Sequence, residues 1–346
     1  MRAADVDFYR NPRTLGPLVR APQGAGGESS LPESVQQGTL VGQGDSYEIV
    51  RGIPRFCPRE NYAVSFGFQW NEYDRLQLDS ISTWGDVSRE RLFAQTGWPR
   101  EMSGERILEA GCGMGRFTEH LLAAGADVWS IDYSAAIEAN ERNNGRSPNL
   151  HLAQADILNP PFAPESFDRV LCIGVIQHTP DPGRAFDSLV RLLKPGGWIA
   201  IDCYRLDWRT PFLGKYWLRP FTKRLSPRAL HRLVRAHVAW AYPLTGAVQA
   251  AFGSRGRSLS WALSLADYRG VYRADPVMLR RLAELDTFDM LAPAHDHPKT
   301  LGQVRRWFAR NGLDEVRVRA GWNGIEAVGR RPMTGGEISG QAHARS

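Results

Sequence analysis

Three groups of residues in this chain could do chemistry on a ligand. The first lies in ILEAGCGMGRF, residues 107–117, where Gly111, Gly113 and Gly115 alternate directly after an apolar run. Either the chain turns sharply there or something passes very close to its backbone. The second is a pair of carboxylates, Asp132 and Asp156, which close the runs DVWSID and LHLAQAD. An acid about twenty residues past the first glycine can accept both hydroxyls of a ribose. Asp156 stands where a carboxylate could hydrogen-bond an adenine amino group. The third group joins histidine with acid: His178 in QHTPDP, and Asp286, Asp289, His295, Asp296 and His297 in ELDTFDMLAPAHDHPKT. A histidine titrating near neutrality can orient or deprotonate a hydroxyl. His295-Asp296-His297 is a poor spacing for a tetrahedral metal, so no metal is assigned. The bland alternatives are loop capping by Asp296 and helix entry at His178.

These residues need elements to position them. RILEA before the glycines reads as a short buried strand, and RFTEHLLAAGA after them as a helix stopped by Gly125. A strand, a glycine turn and a helix form a nucleotide cradle at a parallel sheet edge. The spacing is G-x-G-x-G. A dinucleotide fingerprint would want a third glycine where Arg116 stands, and a phosphate loop would need Gly-Lys-Ser/Thr. Further apolar strands follow in DVWSID, LHLAQAD, SFDRVLCIGVI and WIAIDCY, alternating with amphipathic helices. That alternation predicts an α/β fold with a doubly wound, mostly parallel sheet and right-handed crossovers.

EAGCGMGRF, SIDYS, Ala155-Asp156, FDRVLCIGVIQHTPD and LKPGGWIAI together resemble class I S-adenosylmethionine-dependent methyltransferases. The nearest group includes the ubiquinone and menaquinone C-methyltransferases. The resemblance covers roughly residues 104–204. It implies a Rossmann-like, seven-stranded sheet with an antiparallel C-terminal strand, and S-adenosylmethionine (SAM) as cofactor. It also implies Gly111, Gly113 and Gly115 under the methionine and ribose, and Asp132 on the ribose with Tyr133 beside it. Asp156 and the Ile157 backbone would hold the adenine, and Gly174 and Val175 the methionine end. Glu109 would fix the glycine loop or reach the amino group.

Two segments flank that core. Residues 1–56 resemble a small zinc-ribbon module that precedes some methyltransferases and partners certain tRNA methyltransferases. Its cysteine positions, however, hold Asn11, Thr14, Gly42 and Gly44. Without thiolates there is no tetrahedral site, so a metal-free remnant is expected, with part of residues 20–35 mobile. Residues 57–103 form an aromatic arm in which Gln69 and Trp70 are placed as a cover over the cofactor; docking on the core is the plain alternative. Beyond Tyr204, roughly ninety-five residues intervene before the final helix and strand pair. A structureless loop of that length is implausible, so a helical cap insertion is expected over residues 205–299. The last helix and strand pair occupy 300–332, and 333–346 form a disordered tail.

The first half of the cap is basic: Arg205, Arg209, Lys215, Arg219, Lys223, Arg224, Arg228, Arg232 and Arg235 face only Asp207. An anionic acceptor, RNA and a membrane surface all suit such a stretch, and so does a plain solvated face. The whole chain has 43 Lys and Arg against 37 Asp and Glu, a formal net charge of +6. No run of about 18 uncharged apolar residues occurs, and no signal-peptide pattern opens the chain. The four cysteines show no C-x-x-C pairing, as expected of free thiols in a reducing cytoplasm.

The expected function is methyl transfer from SAM to a small-molecule, glycan or lipid-type acceptor at oxygen or carbon. His178, Asp289, His295 and His297 are the candidate catalytic residues. Methylation of tRNA or rRNA and non-catalytic SAM binding are the alternatives; no N-P-P-Y base clamp is present. The oligomeric state is left open.

Overall fold

The computed structural model describes residues 1–22, 35–58, 60–208, 210–253, 260 and 263–333. Most of the segment expected to be mobile, most of the tail, and Arg209 lie outside these residues.

A seven-stranded sheet carries the site. Its strands are β5 Arg106–Ala110, β6 Asp127–Asp132, β7 Leu150–Gln154, β8 Phe167–Cys172, β9 Leu193–Cys203, β10 Asp314–Gly321 and β11 Gly324–Arg330. Their spatial order is β10-β11-β9-β8-β5-β6-β7. β5 pairs in parallel with β6 and β8, β6 with β7, and β8 with β9. β11 alone runs against its neighbours β9 and β10. The order reverses between β5 and β8, and a crevice at such a switch point is where open α/β sheets bind ligands. The strands read as apolar runs because both faces are covered: Ile107, Leu108, Val170 and Ile201 are buried.

The covering helices are α2 Val87–Thr96, α3 Thr118–Ala123, α4 Ile137–Asn144, α5 Pro182–Val190 and α9 Leu301–Arg310. Local chemistry sets their ends. Asp181 caps α5 by accepting from the Gly183 and Arg184 N–H groups, with Pro182 at the first helical position. Thr300 and Gln303 form a reciprocal capping box on α9.

At the N-terminus, β1 Val19–Arg20, β2 Gln37–Gly42, β3 Asp45–Val50 and β4 Ile53–Pro54 make a separate antiparallel sheet. Phe8 and Tyr9 fasten this region to the core through Trp129 and Phe162. The Asn11 amide donates to the Gly42 carbonyl at 3.0 Å and to Asp45 at 2.8 Å, and Arg13 clamps Asp45 at 2.7 Å. Two of the positions where the resemblance would place cysteines are thus joined by a side-chain hydrogen bond.

α1 Val64–Glu72 precedes the core, and α6 Gly214–Thr222, α7 Pro227–Phe252 and α8 Pro276–Leu291 stand beyond β9. α7 and α8 share a core of Leu230, Val234, Val238, Ala283 and Phe288, against which Phe68 of α1 packs.

Candidate active site

One cavity of about 860 Å³ runs from the glycine turn to the helices beyond β9. Gly111 closes β5 at φ +82° and its backbone lies against Val175; a Cβ there would come within 2.3 Å of the Val175 side chain. Only glycine accepts both that dihedral and that contact. The indole of Trp70 roofs the next glycine, with Nε1 3.3 Å from where a Cβ on Gly113 would sit. Gly115 instead faces Asn140 and Asn144 of α4, so it fits the turn to a helix and does not line the cavity.

Asp132 ends β6 at the cavity wall. Its carboxylate accepts from the Gly113 N–H at 2.9 Å and from the Ser134 N–H and hydroxyl at 2.8 and 2.7 Å. Burial raises its pKa against those bonds. Three accepted bonds out of about four acceptor positions leave one for a ligand. Tyr133 and Ile157 also line the cavity, whereas Asp156 does not. Asp156 accepts from the Leu158 N–H at 2.9 Å, so it shapes the turn that carries Ile157.

Glu109 lies beneath the turn, outside the cavity. It accepts from Thr118 and Ser130 at 2.5 and 2.7 Å, while its other oxygen is buried without a partner. Burial pushes its pKa up to about 7 against those two hydrogen bonds. Of the two roles expected for Glu109, its contacts fit the one beneath the loop.

Gly174 and Val175 face the cavity after β8. The Gly174 N–H donates to Asp202 at 2.5 Å, and Asp202 also pairs with Arg91 of α2 at 2.7 Å. Asp202 and Arg91 escaped the sequence reading, since nothing in their neighbours marks a β9 acid and an α2 arginine as partners.

His178 is the histidine that reaches the cavity. Its ring lies between Phe66, 5.0 Å away, and Tyr204, 5.4 Å away. Nδ1 is 3.0 Å from the His295 carbonyl oxygen. A carbonyl only accepts, so Nδ1 carries the proton and Nε2 the lone pair. Burial lowers the His178 pKa, opposed by the charges of Asp289 and Asp296, and favours the neutral ring. Asp289 lines the same lobe, accepting from Gln69 at 3.2 Å and from the Tyr204 hydroxyl at 3.1 Å. Asp286, close by, takes the Tyr268 hydroxyl, and burial lifts its pKa to about 6.

The expectation for His295 and His297 needs correction, because neither ring lines the cavity. His295 stacks with His297 at 5.6 Å and packs edge-on against Tyr62 at 5.1 Å. Their segment does pass the site, since the His297 N–H donates to the Gln177 carbonyl at 2.9 Å. It is the backbone of His295, not its ring, that touches His178.

Among the described residues, one group of side chains converges like metal donors: Asp79, Glu119 and His120. The acids are already occupied. Asp79 accepts from Trp84 Nε1 and the Ser88 and Arg89 N–H groups, and Glu119 from the Asp79 N–H and the Ser80 hydroxyl. Burial lowers the His120 pKa, but hydrogen bonds to Asp79 and Glu119 override it and hold the ring at about 9. The cation in that pocket is the imidazolium itself.

Residues 108–201 match the family model for a methyltransferase domain. The chain carries a class I S-adenosylmethionine-dependent methyltransferase domain. It is 28% identical to a ubiquinone biosynthesis O-methyltransferase of Paraburkholderia phymatum over 138 residues, covering 39% of this chain and 59% of that one. The namesake of Methylococcus capsulatus is 35% identical over 133 residues, 38% of this chain and 56% of its own length. The chain therefore spans less than two thirds of these relatives. A phosphoethanolamine N-methyltransferase of Haemonchus contortus superposes with a TM-score of 0.41 and 17% identity, over 75% of this chain and 43% of that one.

The cofactor of the methyltransferase domain is S-adenosylmethionine, and the residues present fit it. Gly111 and Gly113 line the cavity, Asp132 keeps an acceptor position on its wall, and Trp70 covers the turn.

Proposed function

We propose that this chain transfers a methyl group from SAM to a hydroxyl or acidic carbon of a small molecule, with His178 accepting the proton. When bound, SAM supplies an electrophilic methyl on a sulfonium. In this reading Gly111 and Gly113 pass under its methionine and ribose, and Asp132 takes a ribose hydroxyl at its remaining acceptor position. Tyr133 and the Ile157 backbone face the adenine, and Gly174 and Val175 the methionine end. Trp70 roofs the turn. Gln69 acts one step away, by orienting Asp289.

The observation that carries the reading is the single cavity shared by the glycine turn and His178, whose lone pair is held on Nε2 by the His295 carbonyl. A neutral imidazole with a fixed tautomer is ready to take a proton at pH 7. His178 itself is buried, and positioning with water exclusion is most of what such a displacement asks of a protein. The names of the relatives, O-methyltransferases of ubiquinone biosynthesis, support oxygen as the acceptor atom.

Titration calorimetry of SAM on the wild type and on Asp132→Ala tests the cofactor half. One hydrogen bond to a carboxylate is worth about 1.5–3 kcal/mol, which predicts an affinity at least about tenfold lower in the variant. Unchanged affinity would take Asp132 out of the site, and a preference for NAD would overturn the reading. Mass spectrometry of metabolites and RNA from cells with and without the gene tests the acceptor half. A methylated small molecule that disappears with the gene is the expected result; a methylated nucleotide of tRNA or rRNA would replace it with the RNA reading.

A further inference from the structure

Beyond the cavity, the outer surface of α6 and the start of α7 carries apolar side chains that the fold leaves uncovered. Phe212, Trp217 and Phe221 are between 70% and 77% exposed. Leu218, Leu225 and Leu233 are 41–57% exposed. Trp217 and Phe221 stand four residues apart in α6, so they share one face of that helix, and Leu225 follows in the turn before α7. Isolated exposed apolar residues are ordinary, but a contiguous aromatic face of this kind marks an interaction surface.

The segment that carries this face supplies charge of one sign. From Trp208 to Ala266 the sequence contains no Asp or Glu. Lys215 and Arg219 turn inward to Asp296, and Arg235 approaches Glu284. Lys223, Arg224, Arg228 and Arg232 enter no ion pair among the described residues, although Lys223, Arg224, Arg228 and Arg232 all lie on the surface. No helix among the described residues is long and apolar enough to cross a membrane. Tryptophan and phenylalanine ringed by unpaired cations form the pattern of a helix that lies in a membrane interface.

We propose that α6 and the first turns of α7 dock this protein on an anionic lipid bilayer. The cations meet the negative headgroups, and Trp217, Phe221 and their leucine neighbours enter the acyl boundary. RNA fits less well. Stacking on bases would use the aromatic rings but not the leucines, and this face is the outside of a helix, not a groove. The placement also has a geometric sense. Leu213, Lys215 and Tyr216, on the inner side of the same segment, wall the cavity, so one helix separates the proposed bilayer face from the site. The docking proposal stands on the exposed face alone and does not depend on the acceptor reading.

Flotation of the full chain with vesicles of equimolar phosphatidylcholine and phosphatidylglycerol, at low salt, tests it. The protein should rise with these vesicles and stay behind with phosphatidylcholine alone. Lys223→Gln with Arg224→Gln removes two surface cations and should weaken binding about thirtyfold, at about 1 kcal/mol per cation. Trp217→Ser with Phe221→Ser should weaken it on the same vesicles. Calorimetric SAM affinity should stay unchanged in both pairs, which shows that they fold. No flotation with the mixed vesicles, or flotation indifferent to both pairs, overturns the assignment. Tighter binding to transfer RNA than to vesicles, weakened by the same pairs, makes the face an RNA surface. A dimer that Trp217→Ser with Phe221→Ser dissociates makes it an interface between copies. Either result also overturns the assignment.

Discussion

The two ends of the cavity are built in different ways. At the cofactor end, Gly111, Gly113 and Asp132 belong to one strand-turn-helix-strand unit, and backbone N–H groups tie them together within about twenty residues. At the cap end, each polar group is held by a partner far along the chain. His178 depends on a carbonyl 117 residues away, Asp289 on an amide 220 residues away and on a hydroxyl 85 residues away. The first end is stiff and local. The second exists only once α1, β9 and α8 have packed. Chemistry that is the same for every acceptor can be encoded in a motif, whereas selection of one acceptor needs a surface assembled from many segments.

Three substitutions would break or sharpen that contrast. His178→Ala should have the largest effect. Loss of a proton acceptor typically costs about 10²–10⁴-fold in turnover, while SAM affinity should stay within about twofold, since the ring stands outside the cofactor end. In the wild type the acid limb of the pH–rate profile should fall below the ordinary histidine value of 6.5, because burial lowers the His178 pKa. Turnover should drop as pH falls through that point and level off above it. A variant of normal turnover, or an acid limb that survives in the variant, would remove His178 from the chemistry.

Gly111→Ala comes next. It forces a side chain into a left-handed turn and against Val175, at a cost of about 2–4 kcal/mol. The melting temperature should drop and calorimetric SAM affinity fall by about tenfold or more. An unaffected variant would show that the turn relaxes freely. His295→Ala should do least. The carbonyl that orients His178 remains, so turnover should change by less than about threefold. A loss as large as that of His178→Ala would restore a direct role to the ring.

The same division decides what could be read from the sequence. The parallel strands and the turn at Gly111 are legible because hydrophobic period and glycine spacing act within a short stretch, whereas the antiparallel last strand comes from the family resemblance. His178 was legible by position, just after a strand at the carboxyl edge, but its tautomer was not, since that depends on a backbone atom of another segment. His295 and His297 misled because their types suit catalysis while the loop turns both rings aside; no local signal records the direction of a side chain in a loop. Asp202 and Arg91 go unmarked because each becomes meaningful only beside the other, and Tyr204 only beside His178 and Asp289. Gly115, expected under the methionine and ribose, faces α4 instead, and Glu109 at the end of β5 lies beneath the turn; spacing alone does not distinguish the two faces of a turn.

α1 gives the two ends a common dependence. Trp70 rests on the glycine turn while Gln69, the residue before it, holds Asp289. A ligand that shifted α1 through Trp70 would shift the partner of Asp289 with it, and the two binding events would then be coupled. Whatever factor cofactor binding contributes to acceptor affinity, acceptor binding must return to cofactor affinity. A preference for one order of addition would then be a property of a nine-residue helix that need not touch the reacting atoms.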